Sequence, residues 1–211
     1  MRYVRGGAIF HRGDACAGFY IVVFGQVKLA FISTRGVEKI VALLDQRQSF
    51  GEAMMFLDQP CDVSAEALSN SLLLHIPKSA ILGALDRNHR IMRRLLGSVA
   101  LQTHSLLQDV ESYSLFNGTQ RIIGYLLDQL TSEGQGGDGR SLDLAFSKGV
   151  IASRLNLTQE HFSRILNELS KLGLIRVNGR RLTIPSLERL RDHGFTLPAG
   201  PSMAPCRCGP P

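Results

Sequence analysis

Glu160 and Arg164 stand four residues apart in the stretch Asn156-Leu157-Thr158-Gln159-Glu160-His161-Phe162-Ser163-Arg164-Ile165-Leu166. On a helix that spacing puts both side chains one turn apart on one side. An arginine can donate to guanine O6 and N7, and a glutamate can accept from cytosine N4. The pair is equipped to read a G·C base pair. Gln159 and Ser163 add an amide and a hydroxyl to the polar side, and Ile165, Leu166 and Leu169 form an apolar stripe. The segment Lys148–Leu155 carries a second helical period ahead of a tight turn. Two short helices so joined make a helix-turn-helix, whose second helix can enter a DNA major groove.

The charge agrees with that reading. Between Arg140 and Arg191 lie ten basic and four acidic side chains, an excess of six that equals the whole-chain net charge of +6. A solvated basic face is the bland alternative. Coincidence with a groove-binding motif favours phosphate contact instead, with Lys148, Arg180 and Arg181 as its candidates. Double-stranded DNA is the expected partner. The chain contains no GxSxG, P-loop or HExxH pattern, so an enzyme is not expected. No apolar run approaches the roughly 18 residues of a membrane span. The start, Met1–Gly7, has no apolar core of a signal peptide, so a cytoplasmic location without membrane partners is expected. Cys16, Cys61, Cys206 and Cys208 fit neither a zinc ribbon nor a CxxC pair. Cys16 and Cys61 read as buried small thiols.

The elements that must position these residues follow from periodicity. From Ile9 to about Ile76 short β-branched runs alternate with Gly turns, among them Phe19–Phe24, Val27–Ile32 and Lys39–Leu44. Gly13, Gly25 and Arg35-Gly36 punctuate them, which predicts a small antiparallel roll. From His89 to Ser112 a long helix is predicted, with Ile91, Leu95, Val99, Leu106 and Val110 near heptad spacing. Pairing of that stripe with a second copy would make a homodimer; packing back on the roll is the alternative, and both can be true of different faces. Ser114–Gly118 reads as a hinge. Thr119 can cap a further helix with Ile122, Ile123, Leu126, Leu127 and Leu130 on its apolar face. Gly134–Gly139 reads as a flexible loop. Asn178-Gly179 between apolar runs predicts a hairpin, the wing of a winged helix. The class is α+β: a β-roll over 1–88, a dimerisation helix over 89–113, a winged helix-turn-helix over 114–194, and a disordered tail over 195–211.

With these residues in place the chain resembles the CRP/FNR superfamily of bacterial transcription regulators over nearly all of residues 4 to 192. The markers are Phe10-His11-Arg12-Gly13-Asp14, Phe50-Gly51-Glu52 and Glu160-His161-Phe162-Ser163-Arg164. The stretch Phe50–Asp58 further resembles the Dnr-type branch, which regulates denitrification in response to nitric oxide. The resemblance implies a homodimeric activator that binds an FNR-like TTGAT palindrome, bends DNA and contacts RNA polymerase. It also implies an N-terminal helix and leader, whereas here Met1 sits almost at the first strand.

The resemblance carries expectations about the signal. In cyclic-AMP-binding members a Gly-Glu and an Arg-Ser clamp the nucleotide. Gly51 and Glu52 match the first pair, but Val63-Ser64 stands where the arginine would be, and Leu106-Leu107 where adenine meets hydroxyls. A buried phosphate without its cation is strongly unfavourable, so cyclic AMP is not expected and Glu52 reads as structural. Iron–sulfur members hold their cluster on leader cysteines plus one in the roll; that roll position is Leu74, so no 4Fe-4S cluster is expected. An apolar pocket lined by Gly51, Glu52, Met54, Met55, Leu106 and Leu107 remains. Such a pocket could hold haem, as the Dnr-type resemblance implies; an unliganded apolar core is the alternative. His11, Cys16, His75 and His104 are the candidate haem ligands, none singled out by a motif. A ligand-binding module with weak or no DNA binding is the alternative function.

Overall fold

The computed structural model describes residues 1–33, 36–132 and 140–195. Arg35, the Gly134–Gly139 loop and the tail with Cys206 and Cys208 lie outside the described residues. The described chain falls into two compact units. One comprises Met1–Leu115 and Phe146–Phe162, and the other Phe116–Ala145 and the chain from Ser163 onward.

The first unit opens with eight strands: β1 (Arg2–Tyr3), β2 (Ala8–Phe10), β3 (Gly18–Phe24), β4 (Val27–Ile32), β5 (Glu38–Leu44), β6 (Ser49–Phe50), β7 (Ser64–Ala67) and β8 (Ser71–Pro77). They form two antiparallel sheets, ordered β1-β8-β3-β6 and β2-β7-β4-β5. Alternation along the strands sends one side of each sheet inward. Val22, Phe50 and Leu73 from one sheet meet Val27, Leu44 and Ala65 from the other in a shared core. The aromatic rings of Phe10, Tyr20 and Phe50 close it, with Tyr20 stacked on Phe50 at 5.3 Å. The three strands read from sequence are present, but the roll also contains a helix that the strand pattern did not announce, α1 (Glu52–Leu57).

Two further helices follow, α2 (Lys78–Leu85) and the 27-residue α3 (His89–Leu115). The heptad reading of α3 needs a correction. Ile91 and Leu95 pack on the unit's own second core of Phe19, Met55 and Ile81. They belong to a roll-facing stripe and not to an outward seam. Leu96, Val99, Leu101, Leu106, Leu107 and Val110 are exposed in this chain. The first unit ends with α5 (Lys148–Arg154), which lies beside β5, and the start of α6 (Gln159–Lys171).

The second unit contains α4 (Gly118–Ser132), β9 (Arg140–Asp143), β10 (Arg176–Asn178), β11 (Arg181–Ile184) and α7 (Leu187–Phe195). Ile122, Ile123, Leu126 and Leu130 of α4 are buried, as its periodicity required. Its cap is Asn117, not Thr119. The Asn117 side chain accepts from Gln120 N at 3.0 Å, and the Gln120 side chain accepts from Asn117 N at 2.9 Å. This reciprocal capping box satisfies two backbone donors at once.

The wing is a three-stranded sheet, β10-β11-β9. Its register also differs from the simplest Asn-Gly reading. Asn178 pairs with Arg181, so the two loop residues are Gly179 and Arg180. Gly179 carries a positive φ of 62° and Arg180 does not. That excludes a type I′ turn, which needs positive φ at both positions.

Candidate nucleic-acid interface and sensor site

The turn between the two reading-motif helices is built by short-range bonds. Ser147 caps α5, its hydroxyl accepting from Val150 N at 3.4 Å. Leu157 N donates to Ala152 O at 2.9 Å, and Asn156 adopts the left-handed region at φ 57°. Asparagine tolerates that region better than most residues because its short side chain can bond locally. Thr158 caps the next helix by accepting from His161 N at 3.2 Å.

On α6, Phe162, Ile165, Leu166 and Leu169 are buried, a wider stripe than the three residues read from sequence. Gln159, Glu160 and Arg164 are exposed and Ser163 is half-buried. Among the described residues neither Glu160 nor Arg164 forms an ion pair. Both charges therefore remain available to a partner.

The wing arginines bond within the chain. Arg181 makes a two-pronged pair with Asp143, at 2.9 and 3.1 Å. Hydrogen bonding from Arg181 holds the Asp143 carboxyl below the usual carboxylate range. Arg180 donates to the carbonyls of Leu144 and Ala145 at 3.2 and 2.7 Å. These guanidinium groups brace the β10–β11 hairpin against β9 and the segment after it. The Arg181–Asp143 pair is exposed at both ends, so salt and water screen it and phosphate can compete for the arginine. Lys148 is half-buried at the start of α5. Lys171 and Arg176 are exposed, and neither forms an ion pair among the described residues. Sequence reasoning passed over those two because only the charge count marked them.

In the roll, Gly51 takes φ 95° and turns the chain directly into α1. That turn drives Glu52 inward. Glu52 is 2% exposed, and its Oε1 has no hydrogen-bond partner among the described residues. A structural carboxylate is normally satisfied, because a buried unpaired acceptor is costly. Met55 is fully buried in the Phe19–Ile81 core, Met54 and Val63 are half-buried, and Leu106 and Leu107 are exposed on α3. Within this chain, then, the two leucines do not enclose a pocket with the methionines.

Of the four candidate haem ligands, His11 and His104 are exposed. The other two come together at Gly18. The Cys16 thiol donates to Gly18 O at 3.5 Å and to Gly51 O at 3.4 Å. His75 Nε2 lies 2.6 Å from where a Cβ of residue 18 would sit, which requires glycine there. The His75 ring packs on Tyr20 at 4.8 Å. Beside Cys16, burial and the Cys16 thiol push Cys61 up to about 11. A half-buried imidazole and thiol are the residues here whose donor chemistry would suit haem iron.

A double-sheet roll, a long helix and a winged helix-turn-helix together define a class of DNA-binding protein with an N-terminal roll. Residues 1–88 match the family model for a cyclic nucleotide-binding domain, and residues 120–193 that for a Crp-like helix-turn-helix domain. The global nitrogen regulator of Synechococcus elongatus is 28% identical over 189 residues, covering 87% of this chain and 84% of that protein. A cyclic AMP receptor protein of Thermus thermophilus is 25% identical over 197 residues, covering 92% and 88%. The solved structure of FixK2 from Bradyrhizobium japonicum shares the fold with a TM-score of 0.78 at 21% identity, covering 96% of this chain and 98% of that one. The chain belongs to the CRP/FNR family and is a DNA-binding transcription regulator. No helix among the described residues is long and apolar enough to cross a membrane.

Proposed function

We propose that this regulator binds a TTGAT palindrome as a homodimer and activates transcription through RNA polymerase. Arg164 reads the guanine, Glu160 the paired cytosine, and Ser163 a neighbouring thymine or phosphate. The observation that carries this is the exposure of Glu160 and Arg164 one turn apart on α6 without an ion pair. The exposed apolar stripe Val99, Leu106 and Val110 supports pairing of α3 with a second copy, which sets two reading helices about one DNA turn apart. Fluorescence anisotropy on a labelled TTGAT palindrome and a scrambled duplex, at one salt concentration, tests the reading. Specific binding on the order of a thousand-fold tighter than to the scrambled duplex is expected. Equal affinities would reject it.

The effector site is centred on Gly51 and Glu52. The unpartnered Glu52 oxygen supports a guest that brings a hydrogen-bond donor. Val63 supports a guest other than cyclic AMP, because the buried phosphate would have no bidentate cation. Calorimetry with millimolar cyclic AMP should show no heat of binding, and micromolar affinity would overturn that assignment.

A second reading, haem with a nitric-oxide response of the Dnr type, is favoured by the approach of Cys16 and His75 to Gly18. His75 and Cys16 are the residues that would hold the group; when bound, haem supplies an iron position for a diatomic gas. A Soret band shifted and sharpened from that of free haem, and returned to the free-haem band in His75→Ala, supports this reading; a band that stays that of free haem rejects it.

A further inference from the structure

The first helix of the reading motif is fastened to the long helix and the roll by a polar network that DNA contact does not explain. Arg154, at the end of α5, donates from Nη2 to both carboxylate oxygens of Asp109 of α3, at 2.6 and 2.9 Å. Both side chains are largely buried, 18% and 23% exposed. Arg154 Nη1 also donates to the Tyr113 hydroxyl at 2.7 Å, and that hydroxyl donates to Arg154 O at 2.6 Å. From the other side, Lys39 of β5 donates to Ser153 O at 2.7 Å and lies 4.9 Å from the Tyr113 ring centre. Two cations thus converge on the C-terminal end of α5, where the helix dipole is negative. Ile40 N completes the attachment by donating to the Ser153 hydroxyl.

We infer that Arg154 and Asp109 are positioning residues for DNA binding, joining the sensing roll and long helix to the reading motif. Arg154 is one of the ten basic residues of the DNA-binding segment, yet its guanidinium is spent on Asp109 and Tyr113. Burial alone would lower its proton affinity; Asp109 and Tyr113 outweigh that and hold it charged. α5 leads through the Asn156 turn to the Thr158 cap of α6, so whatever fixes α5 fixes the start of the reading helix. The joint draws on both β5 and α3. This inference rests on the DNA-binding reading above.

The test is a double-mutant cycle on the full chain with the labelled palindrome, recording Kd, its salt dependence and the melting temperature. Asp109→Asn and Arg154→Ala are each expected to weaken binding about ten-fold, and the double variant no further, because both break one joint. The slope of log Kd against log salt should stay at the wild-type value, since no phosphate contact is lost. Tyr113→Phe, which removes one hydroxyl, serves if either variant fails to fold, and should weaken binding roughly three-fold. An Asp109→Asn variant that binds like wild type overturns the inference. So does an Arg154→Ala variant that alone loses about one unit of salt slope, which would make Arg154 a phosphate contact. Losses confined to melting temperature also overturn it. Wild type failing to bind any duplex would instead reject the DNA-binding reading, and this inference with it.

Discussion

Replacing Glu52 with methionine should stabilise the effector-free protein. The side chain is 2% exposed and its Oε1 has no partner among the described residues. Leaving a buried acceptor unpaired costs about 1–3 kcal/mol, and replacing it with an apolar group of similar shape removes that cost. Against this stands the carboxylate's place in the first turn of α1, which contributes about 0.3–1 kcal/mol through the helix dipole. The net expectation is a gain of up to about 2.7 kcal/mol. For a chain of this size that raises the midpoint by up to about 11 °C. Thermal melts and urea titrations of effector-free protein measure it, with an unchanged urea m-value as the sign that only stability moved. The same variant should lose its effector response. A loss of 1 kcal/mol or more in Glu52→Met would refute the reasoning, because it would mean that the carboxylate is already satisfied.

Three other outcomes follow from particular contacts. Val99→Glu puts like charges on the exposed face of α3, and sedimentation should show monomers with weakened DNA binding; an intact dimer would reject that face as the seam. Cys61 is held up at about 11, so at pH 8 its thiolate fraction is on the order of one in a thousand. Its labelling by iodoacetamide should rise about ten-fold per pH unit from 8 towards 11, and labelling that saturates by pH 9 would contradict the buried-thiol assignment. Asn117→Ala should cost about 0.5–2 kcal/mol in a urea melt, while Thr119→Ala should stay within about 0.5 kcal/mol. The reverse order would return the cap of α4 to Thr119.

The sequence made legible what depends on local pattern. The alternation of β3, β4 and β5, the apolar stripes of α4 and α6, and the Glu160–Arg164 spacing each involve residues within one or two turns of each other. What was hidden depends on pairings distant in the chain. The pairing of Arg181 with Asp143 was not legible because the two are 38 residues apart. Ile91 and Leu95 read as seam residues because a single repeat does not say which of two apolar surfaces it faces. The two stripes diverge only when Phe19, Met55 and Ile81 are in place. The burial of Glu52 was not legible because it leaves no mark on its neighbours in the chain. Asn117 and Thr119 are both good caps by type, and Gln120, three residues beyond Asn117, was the signal that separates them.

The most direct measurement changes the guanine-containing pair of each TTGAT half-site and compares wild type with Arg164→Ala on both duplexes at one salt concentration. Reading of that pair by Arg164 and Glu160 gives a wild-type preference of about 1–3 kcal/mol for the unaltered duplex. Arg164→Ala should bind the two duplexes alike. If Arg164→Ala keeps the full wild-type preference, α6 does not read DNA through Arg164, and the assignment of the reading face is wrong.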